Sequence, residues 1–336
     1  MEYILHIGMP KTGSTSLQNA LFNNHEVLRE FGIVFPNIGL NRTECGQVRH
    51  EHLISALQNY NTNKSIFKDW DDFLHRETDN MDICVISYEN MFPGVCPQKL
   101  LPLFPRDRTR IVVYIREQAE YIASLYANQI RWDTLQETFA EYSQIRPRNY
   151  FRVMNRWREV YGQENLTFRL YSRESLLGGN IIDDFANLVR PGLQNMLDTL
   201  KYDLHPSISG NLLFTKFILN KFITAEESNS IVSELTKLTH LDPNFRGRFY
   251  VDLETVTRIA NRCREHCEAL EKHFGVHLET RSEPIEGSAC PDHDNFVHDY
   301  RRIYNYALET GGHLGKLLKI HNDEILRLAP VLNPMA

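Results

Sequence analysis

A short apolar run close to the N-terminus constrains the fold of this chain more than any other feature. Residues Tyr3 to Ile7 are largely apolar and include β-branched and aromatic side chains, as in a strand buried on both faces of a parallel sheet. The segment Gly8–Ser16 follows, and Leu17, Ala20 and Leu21 then recur at helical spacing. The sequence therefore predicts a central strand, a tight turn and a helix, in that order.

A turn between a strand and a helix is suited to binding an anion. Its backbone N–H groups and the positive end of the helix dipole point at one spot. Gly8 and Gly13 permit positive φ and close approach of a ligand, and Pro10 stiffens the entry. Lys11 adds a mobile positive charge, and hydroxyl donors follow at Ser14, Thr15 and Ser16. We expect a phosphate or a related anion in this turn.

The turn differs from the common nucleoside-triphosphate loop. That loop ends in Gly-Lys-Ser/Thr, whereas Lys11 comes two residues before Gly13. The next apolar strand, Asp82–Ser87, is followed by Tyr88 and Glu89 and offers no aspartate of the kind that holds magnesium. Nothing in the sequence requires a metal ion, and none is expected.

Two polar residues follow later predicted strands. Glu89 comes just after Asp82–Ser87, and a carboxylate at the carboxyl end of a parallel strand lies in the crevice where ligands bind. The alternative is that Glu89 caps the next helix or pairs with an arginine. Arg116 ends the strand Arg110–Arg116, and Ser124 falls eight residues later on a predicted helix. A guanidinium fork and a hydroxyl suit a phosphate group, although an arginine at a strand end is more often in a surface ion pair.

These motifs together resemble those of sulfotransferases that use 3′-phosphoadenosine 5′-phosphosulfate (PAPS). The segment Pro10–Thr15 resembles their 5′-phosphosulfate loop, Pro-Lys-x-Gly-[Ser/Thr]-[Ser/Thr], and Arg116 with Ser124 resembles their 3′-phosphate site. In glycosaminoglycan sulfotransferases of this pattern, a glutamate near the position of Glu89 removes the proton of the acceptor hydroxyl. The resemblance covers roughly Tyr3 to Leu219.

The resemblance implies a PAPS-dependent sulfotransferase with PAPS as donor substrate and adenosine 3′,5′-bisphosphate (PAP) as product. Lys11 and Glu89 are the implied catalytic residues. The implied nucleotide-binding residues are Pro10, Lys11, Thr12, Gly13, Ser14, Thr15, Ser16, Arg116 and Ser124. A carbohydrate is the first choice of acceptor, and a small metabolite or a lipid headgroup is the alternative. The rival functions are an ATP- and magnesium-dependent P-loop phosphotransferase and a non-catalytic nucleotide-binding module.

The segment after the first helix supplies the reserve candidates for the base. Residues Asn37 to Gly46 are rich in turn residues and are predicted to form a mobile lid. The segment Val48–Leu57 is predicted to be helical, and it carries His50 and His52. Histidine is the commonest general base near neutral pH, so either residue is an alternative to Glu89.

The pattern along the chain predicts a three-layer α/β/α fold with a mostly parallel central sheet, P-loop-like, and a helical C-terminal portion. A fourth strand is predicted at Leu166–Tyr171, but Ser172-Arg173-Glu174 departs from the Tyr-Glu-Asp-Leu of cytosolic sulfotransferases. From about Asn211 the pattern is only helical, without their Arg-Lys-Gly triplet. We therefore predict a PAPS-binding core over residues 1–210 and a helical portion over 211–336, packed on the core. A homodimer through these helices is one option.

Composition excludes several other classes of protein. The chain has 336 residues, 42% of them apolar, which suffices for a substantial core, and its net charge of −6 argues against a nucleic-acid-binding surface. We expect no membrane span and no export signal, hence a cytoplasmic protein. The six cysteines lack C-x-x-C spacing and are expected to be thiols; a zinc site is the less favoured use of the following residues: Cys263, His266, Cys267, Cys290 and His293.

Overall fold

Strands and helices alternate over the first part of the chain, and helices predominate in the last third. The computed structural model describes residues 1–43, 46–59, 64–145, 148–198, 207–278 and 281–335. The strands are β1 (Glu2–His6), β2 (Ile33–Val34), β3 (Asn41–Arg42), β4 (Val48–Arg49), β5 (Ile83–Ser87), β6 (Thr109–Ile115) and β7 (Leu166–Leu170). The helices are α1 (Ser14–Asn23), α2 (His25–Glu30), α3 (Glu51–Gln58), α4 (Lys64–Glu77), α5 (Met91–Gly94), α6 (Gln118–Trp132), α7 (Phe139–Ile145), α8 (Tyr150–Tyr161), α9 (Ile181–Val189), α10 (Gly210–Leu219), α11 (Ala225–Ser230), α12 (Val232–Leu238), α13 (Leu253–Phe274), α14 (Phe296–Glu309), α15 (His313–Ile320) and α16 (Asn322–Leu328).

A five-stranded parallel sheet has the order β2-β5-β1-β6-β7. The first strand lies in the middle, where Tyr3 is opposite Cys84 of β5 on one side and Thr109 of β6 on the other. The prediction that the run near the N-terminus forms the central strand is confirmed. Because parallel strands need crossover connections, helices lie between them in the chain.

The sheet is covered by helices on both faces, as the predicted three-layer fold requires. Ile4 of β1 belongs to a core cluster with Leu17 of α1 and Phe185 of α9. The neighbouring Tyr3 points the other way, and its ring lies 6.3 Å from that of Trp70 on α4. Burial on both faces explains why the strand sequence is a continuous apolar run.

One predicted helix is different in the structure. Val48 and Arg49 do not start a helix; they pair with β3 as a short antiparallel hairpin, and α3 begins only at Glu51. The β-branched Val48 is buried in the core cluster that also contains Leu17. In the helical last third, Ile231 separates α11 from α12. Ser230, next to this break, donates from its hydroxyl to Glu227 O, as serine does where helices end.

The chain divides into two interleaved compact units. The first comprises residues 1–116, 149–204 and 266–278, and the second comprises 117–148, 205–265 and 279–336. The sheet belongs to the first unit. The predicted division into a PAPS-binding core over residues 1–210 and a helical portion over 211–336 stays a prediction. In the described ranges, no helix has both the length and the apolar character needed to cross a membrane.

A buried carboxylate joins strands and helix in the first unit. Asp184 of α9 accepts hydrogen bonds from Tyr114 Oη of β6 at 2.8 Å and from the Leu177 N–H at 3.1 Å. Arg169 of β7 donates to both carboxylate oxygens, with Nε 2.9 Å from Oδ2. Burial would raise the pKa of Asp184, but the bonds from Arg169, Leu177 and Tyr114 lower it. This network fixes α9 against the edge of the sheet.

The second unit contains a buried lysine. Lys216 of α10 donates to the backbone oxygens of Ile130 at 2.9 Å and Asp133 at 3.1 Å. It also donates to Ser228 Oγ at 2.9 Å and to the Asn220 side chain. Burial lowers the pKa of Lys216 to about 7. Its amino group holds α6, α10 and α11 together, because a buried polar group is tolerated only where hydrogen-bond partners replace water.

We expect Asp184→Asn to lower the free energy of unfolding by about 3 kcal/mol, because it removes the charge that faces Arg169 in a buried network. Since the folded state lowers the pKa of Asp184, its stabilisation is present above the pKa of the unfolded chain and is lost as pH falls through the folded value. Urea unfolding from pH 7 to pH 3 measures both effects, and the difference between variant and wild type should shrink in acid.

The control is Asp82→Asn, because Asp82 pairs with Arg190 at 2.9 Å while its side chain is 69% exposed. Exposed pairs contribute roughly 0 to 1 kcal/mol, so this variant should stay close to wild type. Equal effects of the two substitutions would contradict the role assigned to Asp184.

Candidate functional site

The loop between β1 and α1 continues the central sheet beyond its first strand. Ile7 N donates to Val112 O at 3.0 Å and Met9 N donates to Tyr114 O at 2.9 Å, while Tyr114 N donates to Gly8 O at 2.8 Å. The loop entry is therefore held in register with β6. Met9 is fully buried, and its bond to Tyr114 O extends the pairing with β6 to this residue.

The rest of the loop turns into the N-terminus of α1. Thr12 Oγ1 donates to Met9 O at 2.6 Å, and Ser14 Oγ is 3.3 Å from the same oxygen. Gly13 precedes α1 with φ 76°, provides no side-chain cap, and no acidic residue lies in the first helical turn. The positive end of the helix dipole therefore faces the loop without a carboxylate from that turn.

Lys11 and Arg116 are brought together at this loop. Lys11 has φ 68°, in the left-handed region that a residue with a side chain rarely adopts. Arg116, which follows β6, donates from Nη1 to Lys11 O at 3.1 Å. Its own backbone oxygen accepts a bond from Tyr150 Oη at 3.0 Å, and its guanidinium lies 5.8 Å from the Tyr171 ring centroid. The strained loop backbone is thus supported by the arginine at the neighbouring strand end.

Glu89 lies directly against the loop. Gly8 has φ 113°, and a Cβ atom built there would be 2.4 Å from Glu89 O. Tyr88 N donates to His6 O at 3.1 Å, and Phe92 N donates to Ile7 O at 2.9 Å. The segment that follows β5 therefore passes close to the end of β1, and only a glycine at position 8 allows this approach.

The carboxylate of Glu89 has two side-chain donors. Gln18 Nε2 of α1 is 2.8 Å from Oε2, and Arg49 Nη1 of β4 is 3.2 Å from Oε1. The Glu89 side chain is 14% exposed. Glu89 does not cap α5, because Asn90 is the residue before that helix and makes no side-chain cap bond. The alternative in which Glu89 pairs with an arginine is therefore observed, and each carboxylate oxygen retains a second acceptor position.

A buried polar chain continues from Glu89 into the sheet. Gln18 Nε2 also donates to Ser87 Oγ at 3.1 Å, and Ser87 Oγ lies 2.7 Å from His6 Nδ1. Burial lowers the pKa of His6 to about 3, so its ring is neutral. Gln18 was not identified from the sequence. Its position four residues after Ser14 places both residues on the same face of α1, which could have indicated that Gln18 lies near the loop.

His50 does not act as a base facing solvent in this structure. Its Nε2–H donates to Pro36 O at 2.8 Å, and its Nδ1 accepts a bond from Ser87 N at 3.2 Å. Burial lowers its pKa to about 4, although the two backbone bonds oppose that shift. His52 is exposed on α3. His50 thus has a structural role, since it links the end of β5 to Pro36. His52 is the remaining histidine candidate for the general base.

The other predicted residues differ in their surroundings. Thr12 and Ser14 are buried, whereas Pro10, Thr15 and Ser16 are partly exposed along the loop. Ser124 lies partly exposed on α6, in the second unit. The phosphate contact that Arg116 and Ser124 were predicted to share stays a prediction.

The cysteines do not form a metal centre in the described part of the chain. No group of three or more His, Cys, Asp or Glu side chains there is arranged to hold a metal ion, so the zinc alternative has no support in those ranges. The thiols in those ranges are Cys84, Cys96, Cys263, Cys267 and Cys290. Burial raises the pKa of Cys84 and Cys290, which makes both poor nucleophiles. Cys45 lies outside the described residues.

No protein-family model and no curated protein matches the chain. The chain is similar to the crystal structure of a sulfotransferase from Alicyclobacillus acidocaldarius, with a TM-score of 0.40, 13% sequence identity, and coverage of 83% of this chain and 97% of that chain.

We expect Gly8→Ala to destabilise the protein strongly, because a methyl group at this position overlaps the Glu89 backbone and the residue has positive φ. Gly46→Ala is the control: Gly46 also has positive φ, 76°, but a Cβ atom there meets nothing within 4 Å. Denaturant unfolding should show a loss of about 1 kcal/mol for Gly46→Ala and at least about 3 kcal/mol for Gly8→Ala. Equal losses would contradict the close approach of Gly8 and Glu89.

Proposed function

We propose that the chain is a PAPS-dependent sulfotransferase that transfers a sulfuryl group to a hydroxyl acceptor. The observation that carries the proposal is the meeting of three motif elements at one loop. Arg116 Nη1 contacts Lys11 O, and the backbone of Glu89 contacts Gly8. These residues follow β6, β1 and β5, which are adjacent parallel strands, and the carboxyl ends of such strands form the ligand crevice of open α/β sheets.

The loop supplies the binding groups for the 5′-phosphosulfate in this proposal. The N-terminus of α1 and the loop amides attract the anion, and Lys11 adds a positive charge. Arg116 is the proposed partner of the 3′-phosphate, which distinguishes PAPS from ordinary adenosine nucleotides, with Ser124 as the second partner. The two phosphate sites are then linked through the contact between Arg116 and the Lys11 backbone.

The proposed reaction uses Lys11 and Glu89. The acceptor oxygen forms a bond to sulfur as the bond from sulfur to the bridging oxygen of PAPS breaks, and PAP leaves with the added negative charge. Lys11 stabilises the charge that develops on that bridging oxygen. Glu89 accepts the proton of the acceptor hydroxyl, a role worth ~10²- to 10⁴-fold in rate. No metal ion is needed in this scheme.

A carbohydrate is the proposed acceptor. The groups around Glu89 are polar and include the side chains of Gln18, Arg49 and Tyr88. Hydroxyl-rich ligands are recognised by such hydrogen-bonding groups, and an amphipathic ring such as that of Tyr88 packs against sugar carbons. A small metabolite or a lipid headgroup with a hydroxyl group is the alternative.

A thermal-shift panel tests the proposed function. A ligand that binds only the folded state stabilises it by about 2.7 kcal/mol at one hundred times its Kd. We expect PAP without metal to raise Tm, and Arg116→Ala to abolish most of this increase, whereas Arg190→Ala in the surface pair with Asp82 should not. An increase with ATP and magnesium alone would favour the phosphotransferase, and no increase with either would favour a non-catalytic module.

Glu89→Gln should lower turnover by ~10² or more while the Kd for PAP stays near that of wild type, because the amide keeps its size but accepts no proton. Transfer of ³⁵S from labelled PAPS to a mixture of acceptors measures the first quantity and calorimetry the second. Glu164→Gln is the control, since Glu164 pairs with Arg106 on the surface of the same unit. Full activity of Glu89→Gln would remove Glu89 from the mechanism.

A further inference from the structure

Arg49 connects the β3–β4 hairpin to the carboxylate of Glu89. Its Nη1 donates to Glu89 Oε1 at 3.2 Å and to Gln47 Oε1 at 2.9 Å. Its Nε and Nη2 lie 3.0 Å and 2.9 Å from Glu51 Oε2. The side chain is 18% exposed, so the contacts form in a largely desolvated place. Arg49 therefore contacts Glu89 through Nη1, while Nε and Nη2 of the same guanidinium bind Glu51.

Glu51 is itself fixed by neighbours. Asn41 Nδ2 of β3 donates to its Oε2 at 2.6 Å, and Tyr88 Oη is 3.4 Å from its Oε1. Burial would raise the pKa of Glu51, but the bonds from Asn41 and Arg49 lower it. The anchor of Arg49 is therefore a carboxylate that stays charged.

The guanidinium of Arg49 on β4 lies between two carboxylates, those of Glu89 and of Glu51 at the start of α3. Burial opposes the charge of Arg49, but the carboxylates of Glu89 and Glu51 together raise its pKa, so the guanidinium remains a cation over the whole working range. Tyr88, from the same segment as Glu89, lies beside this pair, and burial raises the pKa of its hydroxyl.

The contact with Arg49 helps to fix the orientation of the Glu89 carboxylate. Gln18 holds Oε2 and Arg49 holds Oε1, so the carboxylate plane is fixed from α1 and from β4 at once. A general base must lie within hydrogen-bond reach of the proton that it accepts. If the base is already oriented in the folded protein, the entropic cost of orienting it is not part of the reaction barrier.

We infer that Arg49 is a positioning residue, which holds the carboxylate of Glu89 in one orientation for removal of the acceptor proton. The inference rests on the proposed function, in which Glu89 is the base. Arg49 acts through Glu89 and makes no proposed contact with PAPS. Glu51 and Asn41 keep Arg49 in place, so the hairpin serves as a support for the base.

The experiment compares Arg49→Ala, Arg49→Lys and a matched control in the same hairpin. The control is Arg42→Ala, because Arg42 donates to Asn37 Oδ1 at 2.8 Å and lies 4.4 Å above the Phe22 ring centroid, and it has no carboxylate contact among the described residues. For Arg49→Ala we expect kcat to fall at least about tenfold and the Kd for PAP to stay within about twofold. Arg49→Lys should restore only part of kcat, because lysine lacks the fork.

A second measurement does not depend on activity. Carboxyl-¹³C NMR identifies the Glu89 signal by its absence in Glu89→Gln, and at neutral pH the chemical shift of this signal should differ from wild type in Arg49→Ala but not in Arg42→Ala. If wild type transfers no sulfuryl group, the proposed function fails, while a changed chemical shift still supports the contact of Arg49 with the Glu89 carboxylate. An unchanged chemical shift in Arg49→Ala overturns the inference, even where kcat falls. If Arg49→Ala does not fold, Arg49→Gln replaces it in both measurements.

Discussion

The candidate site depends on the pairing of β1 with β6, because this pairing continues into the loop. The bonds from Met9 N to Tyr114 O and from Tyr114 N to Gly8 O hold the loop entry as rigidly as the strand before it. The following turn reaches the start of α1 within a few residues, and the left-handed backbone of Lys11 is supported by Arg116 from the end of β6. An anion site built in this way is preorganised, since the backbone N–H groups need no rearrangement when a ligand arrives.

Close contact between two backbone segments explains why the loop has a glycine at position 8. Gly8 is needed because Glu89 O occupies the space of a side chain, and this contact places the segment after β5 beside the loop. Glu89 is thereby placed beside the loop that is the proposed site of the sulfuryl group. Its two donors, Gln18 and Arg49, then determine how the carboxylate is oriented. Backbone packing places the proposed base, and side-chain hydrogen bonds set its orientation.

The sequence predicted the parallel sheet well, because its strands depend on local patterns. Continuous apolar runs identify strands buried on both faces, and the carboxyl ends of such strands bring Glu89 and Arg116 to the loop at Lys11. The contacts of Arg49 were not predictable, because they depend on a hairpin of two-residue strands, and Val48 and Arg49 read equally well as the start of a helix. His50 was a candidate base because histidine is a common general base. Its burial beside β5 depends on tertiary packing, which a local sequence pattern does not indicate.

A crystal structure with PAP bound tests the central claim most directly, since that claim assigns the loop from Gly8 to Ser16 to the 5′-phosphosulfate. The account predicts the 5′-phosphate within hydrogen-bond distance of the loop amides and the Lys11 side chain, with the 3′-phosphate on the Arg116 guanidinium. It also predicts that the Glu89 carboxylate faces the open side of that phosphate, where the acceptor would approach. A nucleotide bound away from the loop, or a 3′-phosphate without contact to Arg116, would contradict the account.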